Sequence, residues 1–151
     1  MNKKGVTLVE LLVVFVIIAI GATLMVPGIG KWLPKYRLRS ATRDIVSAMR
    51  TAQMKAVSNR LQYQVNFNVA PNSYILRYTS GGLVFNDGPV QTAPSGITVN
   101  IANLPTGIAL FNPDSTCPNG GNMTLSYQKG GVIQDQKRIL LNVATGRVRI
   151  Q

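Results

Sequence analysis

The stretch that decides the fold is "GVTLVELLVV", residues 5–14. It opens an apolar run, Val6 to Val26, whose only polar residues are Thr7, Glu10 and Thr23 and whose only glycine is Gly21. As an α-helix that run is about 31 Å long, against a bilayer hydrocarbon core of roughly 30 Å. A carboxylate at mid-depth in such a helix costs roughly 2.5–3.5 kcal/mol, so Glu10 needs a purpose.

Lys3 and Lys4 precede the run. Positive charge stays on the cytoplasmic side, which places the N-terminus inside and the bulk of the chain outside. Three readings compete: a cleaved secretory signal, a plain signal anchor, and the leader of an assembling subunit. The run is too long for a secretory signal core. Neither of the first two has a use for Glu10. Glu10 lies one turn inside the run, so snorkelling to the headgroups is a second account of it.

Composition narrows the function. The 151 residues allow one ordinary domain and an appendage, and the formal charge is +11, from sixteen Lys and Arg against five acids. That balance favours anionic partners: nucleic acid, lipid headgroups or acidic protein surfaces. There is no histidine, which removes the commonest general base and metal ligand. The acids Glu10, Asp44, Asp87, Asp114 and Asp135 are scattered, so a paired-carboxylate active site is not expected. The inventory argues against an enzyme and against a cofactor. Asp114 lies in "NPDSTCPNGGN", which lacks the carboxylate density of a calcium loop, so no metal is expected either. The single Cys117 makes no internal disulfide and reads as a partly buried small residue.

"MNKKG" followed by "VTLVELLVVFVIIAIGA" resembles the N-terminus of type IV pilins and type II secretion pseudopilins. Gly5, Thr7, Leu8 and Glu10 stand where that family's motif has them; the usual phenylalanine after the glycine is Val6. The resemblance implies cleavage after Gly5 by a prepilin peptidase, N-methylation at Val6 and assembly with other pilins or pseudopilins into a filament. It implies residence in the inner membrane with a periplasmic domain, then in a periplasmic or extracellular filament. It also gives Glu10 a purpose, as the partner of a neighbouring subunit's Val6 amine; a buried charge is tolerable when paired. The resulting division is 1–5 cleaved leader, 6–26 transmembrane and filament-core helix, 27–36 Pro/Gly kink region, and 37–151 an extracytoplasmic domain. In pilins a proline near Pro27 marks a segment that kinks or melts in the filament; Pro34 also reads as a simple linker.

From Lys35 to about Arg60 the period is helical again. Leu38, Ala41, Ile45, Ala48, Met49, Ala52 and Ala56 form one apolar stripe, with Lys35, Arg39, Arg43 and Arg50 roughly opposite and Val46 and Val57 interrupting the basic face. That basic face reads as solvated, or as facing a neighbour or phosphates. After residue 60 the period becomes two. "YQVNFNV", "YILRYT", "ITVNIA", "MTLSY" and "RILLNV" read as strands, punctuated by Gly and Pro. The expected fold is α+β and pilin-like: one long N-terminal helix, its second half packed on an antiparallel sheet. The Ala-rich helix and the late strands together resemble the H-type pseudopilin and FimT/FimU-type minor pilin branch, and an unpaired Cys117 argues against a major pilin, which usually closes its C-terminal region with a disulfide.

The chain ends in "RILLNV", "ATG" and "RVRIQ", a hairpin with Gly146 where positive φ is needed. Alternation puts Arg147 and Arg149 on one face, about 7 Å apart, and sends Val148 and Ile150 to the core. "GRVR" resembles a Gly-Arg-X-Arg tail that contacts DNA in FimT-like minor pilins of transformable bacteria. The resemblance implies DNA binding for natural transformation through Gly146, Arg147 and Arg149, with Arg138 and Lys137 nearby. Pseudopilins with no known DNA binding also end in Gly-Arg strands, so a type II secretion pseudopilin with two solvated arginines stands as the alternative.

Overall fold

The structure, a computed structural model, describes residues 5–151, except for the side chains of 24–31. The chain divides into two compact units, 1–34 and 35–151. One α-helix, α1 (Leu8–Asn59), enters from the first unit and supplies the core element of the second.

α1 starts on a cap. Thr7 Oγ1 accepts the Glu10 backbone N–H at 3.2 Å, satisfying one of the donors that a helix N-terminus leaves free. From Leu8 to Ile20 its large apolar side chains are exposed all round, the pattern of a helix made for an apolar environment. Among the described residues no helix is long and apolar enough to cross a membrane. The expected span 6–26 runs past Thr23, the last side chain of the run that is described, and so lies partly outside the described residues. Pro27 lies outside them as well.

In the second unit the apolar stripe packs as its spacing predicts. Leu38, Ala41, Ile45, Met49, Ala52 and Ala56 are buried, and Ala48 is partly buried. Val46, which the sequence pattern leaves on the basic face, is buried too, because strand cover reaches further round the helix than the stripe does. Val57 is exposed.

Nine strands follow: β1 (Gln62–Asn66), β2 (Ser73–Ser80), β3 (Leu83–Asn86), β4 (Gln91–Thr92), β5 (Ile97–Asn100), β6 (Ile108–Phe111), β7 (Gly121–Lys129), β8 (Val132–Leu141) and β9 (Val148–Ile150). They form two antiparallel sheets rather than one. The first runs β3-β2-β1-β6 with β4 added beside β2; the second runs β5-β7-β8-β9. Alternation sends Tyr63, Val65, Met123, Leu125, Ile139, Leu141 and Val148 inward, where they join Phe111 and the helix stripe. Each fully buried apolar side chain contributes about 1.5–3 kcal/mol relative to exposure. Tyr63, Tyr78 and Phe85 lie opposite one another on β1, β2 and β3, with ring centroids 5.7 Å and 5.4 Å apart. Stacked pairs of this kind add to sheet pairing.

Candidate functional site

The C-terminal hairpin forms as its sequence predicts. Leu141 faces Val148, Leu140 faces Arg149 and Ile139 faces Ile150. Arg138 and Gln151 exchange backbone hydrogen bonds of 3.0 and 2.8 Å, and Asn142 N–H donates to Arg147 O at 3.0 Å. Residues 147, 149 and 151 thus turn their main-chain groups toward β8, while Val148 and Ile150 turn theirs to the open side. β9 is the last strand of its sheet.

Gly146 has φ of +59° and is buried. A Cβ there would collide with Ser115 O and come within 2.7 Å of Gln53 Nε2. Glycine is therefore required by conformation and by space alike. Gln53, on α1, donates through Nε2 to Ser115 O at 3.2 Å and Thr145 O at 3.1 Å. One helix side chain thereby fixes both the 112–119 loop and the turn that presents the arginines. Asn142 Oδ1 completes that turn by accepting from the N–H groups of Ala144 and Thr145.

Arg147 and Arg149 are exposed and line a groove of about 460 Å³ with Gly121, Leu140, Leu141, Asn142 and Thr145. Arg138 is exposed on the same face, two residues along β8 from Leu140. Lys137 points to the other face, where it lines a separate cleft with Arg39, Thr42, Arg43 and Ile150. The structure thus brings three of the four expected cations together and separates the fourth. Ile150 does not join the core. It is 46% exposed, at the end of the strand, on the wall of the cleft that it shares with Arg39, Thr42 and Arg43 of α1.

Among the described residues the sole ion pair is Lys55–Asp87, 2.8 Å long and partly exposed. The hydrogen bond that Lys55 Nζ donates to Asp87 Oδ2 holds the Lys55 ammonium above its ordinary range. Asp114 Oδ1 accepts from Thr116 Oγ1 at 2.6 Å and from its N–H at 3.0 Å; the hydroxyl bond above all, then the backbone bond, holds this carboxyl below the usual range. Asp114 thus organises its own loop. Among the described residues no three His, Cys, Asp or Glu side chains gather as metal ligands would. Cys117 is fully rather than partly buried, since its N–H is tied to Val143 O at 2.9 Å beneath the C-terminal turn.

Three features at these sites go beyond the sequence reading, the first being the capping role of a residue already placed in the motif. Thr7 caps α1; "TLVE" is the Thr-x-x-Glu signature of a helix start, so the signal was there. Gln53 is another, and nothing in local sequence marks a clamp between segments 62 and 92 residues away. The third is the meeting of Arg39 and Arg43 with Lys137, which depends on tertiary packing.

The model of the prokaryotic N-terminal methylation motif matches residues 1–26. No curated protein matches the chain. A solved structure of the Pseudomonas aeruginosa type IV minor pilin FimU superposes with a TM-score of 0.58 at 14% identity, covering 78% of this chain and 90% of that one. A second crystal form of FimU gives 0.56 at 14%, covering 76% and 92%. The chain thus carries a prokaryotic N-terminal methylation motif at residues 1–26 and, over 78% of its length, a fold similar to that of FimU.

Proposed function

We propose that the chain is a structural subunit, a minor pilin of a type IV filament, and that its exposed domain contacts nucleic-acid phosphates through Arg147 and Arg149. Processing follows the motif: a prepilin peptidase cleaves after Gly5, and the new amine on Val6 is methylated. Glu10, in the first turn of α1, supplies the opposite charge for a neighbour's amine. The other filament subunits are the partners, the inner membrane holds the subunit before assembly, and Pro27 marks the segment that yields during it.

The observation that carries the DNA reading is the grouping of Arg147, Arg149 and Arg138 on one exposed face, none of them in an ion pair. Guanidinium groups displayed in this way pair with phosphate oxygens and position a backbone without reading its bases. The domain from residue 35 onward carries thirteen cations and four acids, a further draw for a polyanion.

Two measurements test the two parts. Mass spectrometry of the membrane-extracted protein should find a mature chain beginning at methylated Val6; retention of residues 1–5 or cleavage near Ala22 sinks the subunit reading. DNA affinity of the full chain in non-ionic detergent should fall with salt. Arg147→Gln with Arg149→Gln should flatten the log–log slope by about 0.7–0.9 for each lost contact. Unchanged slope and affinity would remove these two residues from the site, and a wild-type chain that binds no DNA would favour a secretion pseudopilin.

A further inference from the structure

We propose that Arg39, Arg43 and Lys137 form a second phosphate-binding cleft. It would hold the backbone of the same nucleic acid on the opposite face of β9 from Arg147 and Arg149. The inference rests on the nucleic-acid reading above.

The cleft has a volume of about 210 Å³, and three of its five lining residues are cations. Arg39 and Arg43 are one helical turn apart on α1, a spacing at which like charges repel. Lys137 enters from the inward face of β8. Ile150 gives the cleft an apolar wall. The Thr42 hydroxyl donates its hydrogen to Leu38 O at 2.7 Å, so the cations supply the free donors of the cleft. All the charge among the lining residues is therefore positive.

No acid of the domain neutralises it. Asp87 is bound to Lys55 and Asp114 to Thr116. Asp44 accepts from Ser40 Oγ and lines a different cavity with Tyr74 and Gln91. Asp135, two residues from Lys137 on β8, accepts the Gln136 N–H and makes no ion pair. Three cations are thus held around one small cleft, and none of them makes an ion pair with an acid of the domain.

The chemistry favours phosphate over a partner's carboxylate. A nucleic-acid backbone carries a charge at every step, so one strand can meet cations at successive places. β9 is an edge strand with Arg147 and Arg149 on one face and this cleft on the other. A polyphosphate chain crossing that edge meets both sets; an isolated acidic side chain meets one. The guanidinium groups of Arg39 and Arg43 can each grip a phosphate with two parallel hydrogen bonds.

The test uses the full chain in non-ionic detergent and a labelled DNA oligonucleotide of fixed length, with affinity measured across salt. Arg39→Gln with Arg43→Gln should weaken binding severalfold at low salt and flatten the log–log slope by about 0.7–0.9 per lost contact. Lys137→Gln should flatten it by about one contact. Arg39→Lys with Arg43→Lys should keep the wild-type slope, which a merely damaged fold would not. If Arg39→Gln with Arg43→Gln behaves as wild type while Arg147→Gln with Arg149→Gln flattens the slope, the cleft is refuted and the DNA reading stands. If the wild-type chain binds no DNA, both fall. If a poly-glutamate peptide competes as well as DNA at equal charge and loses that ability with the Arg39 and Arg43 variants, the cleft takes a protein's carboxylates and the phosphate assignment is overturned.

Discussion

Cys117 lies between β6 and β7, fully buried, and burial pushes its thiol up from 9.0 to about 11. The protonated form is the one the fold favours, so its contribution to stability is complete below pH 9. It is lost as pH rises from about 9 to 11, when the unfolded chain releases the proton and the folded chain does not. Chemical denaturation across that range should therefore show an alkaline loss of stability of about 2 kcal/mol. Cys117→Ala should remove most of it, leaving the smaller losses from Tyr74, which burial also shifts upward, and from Lys55, which its bond to Asp87 shifts upward. An identical alkaline slope in the variant would contradict this account. From sequence the lone cysteine could be read as unpaired; its depth could not, because the turn that covers it comes from residues 142–147.

At the scale of elements, α1 and the terminal hairpin are joined through one amide. Gln53→Ala would leave the Ser115 and Thr145 carbonyls without their donor and should cost about 1–3 kcal/mol. Gly146→Ala adds a left-handed backbone penalty of roughly 1–2 kcal/mol to a collision, and should cost about 2–4 kcal/mol in all. Both variants should also loosen the presentation of Arg147 and Arg149. Thermal unfolding and DNA affinity, measured together, check this; a fully stable Gly146→Ala protein would mean the turn is not held as described. The apolar period of α1 and the alternation in β1 and β5 were legible in the sequence, and β2, β7 and β8 were legible as strands between Gly and Pro breaks. β3, β4 and β6 were not. β3 and β4 are exposed along their length, so no apolar–polar alternation marks them, and β6 is only four residues long. The separation of Lys137 from Arg138 follows from strand alternation; that Lys137 would meet α1 does not.

For the whole molecule, the two ends of the chain divide the work. On the function proposed above, residues near Gly5 would set processing and assembly, and those near Gly146 would set contact with a nucleic acid. The first set was legible because a short linear motif and a helix cap carry it. The second was legible only in part, because cations gather there from α1, β8 and β9 together. Glu10→Ala should separate insertion from assembly. It keeps the Thr7 cap, which uses a backbone donor, and keeps the apolar run. The variant should remain in the membrane fraction yet be depleted from sheared filaments by an order of magnitude. Equal filament content in mutant and wild type would remove the charge-pairing role.

Two hairpin tips offer a way to see the subunit at work. The β2–β3 and β7–β8 turns are both Gly-Gly, Gly81-Gly82 and Gly130-Gly131, with φ near +60° then +80°, and open space surrounds each glycine. Turns of this kind set strand register without touching the core. A short epitope or fluorophore-accepting tag could be inserted at either tip, where an added side chain meets no neighbour. Labelled filaments would then report where along their length the subunit sits, tip or shaft, by direct imaging.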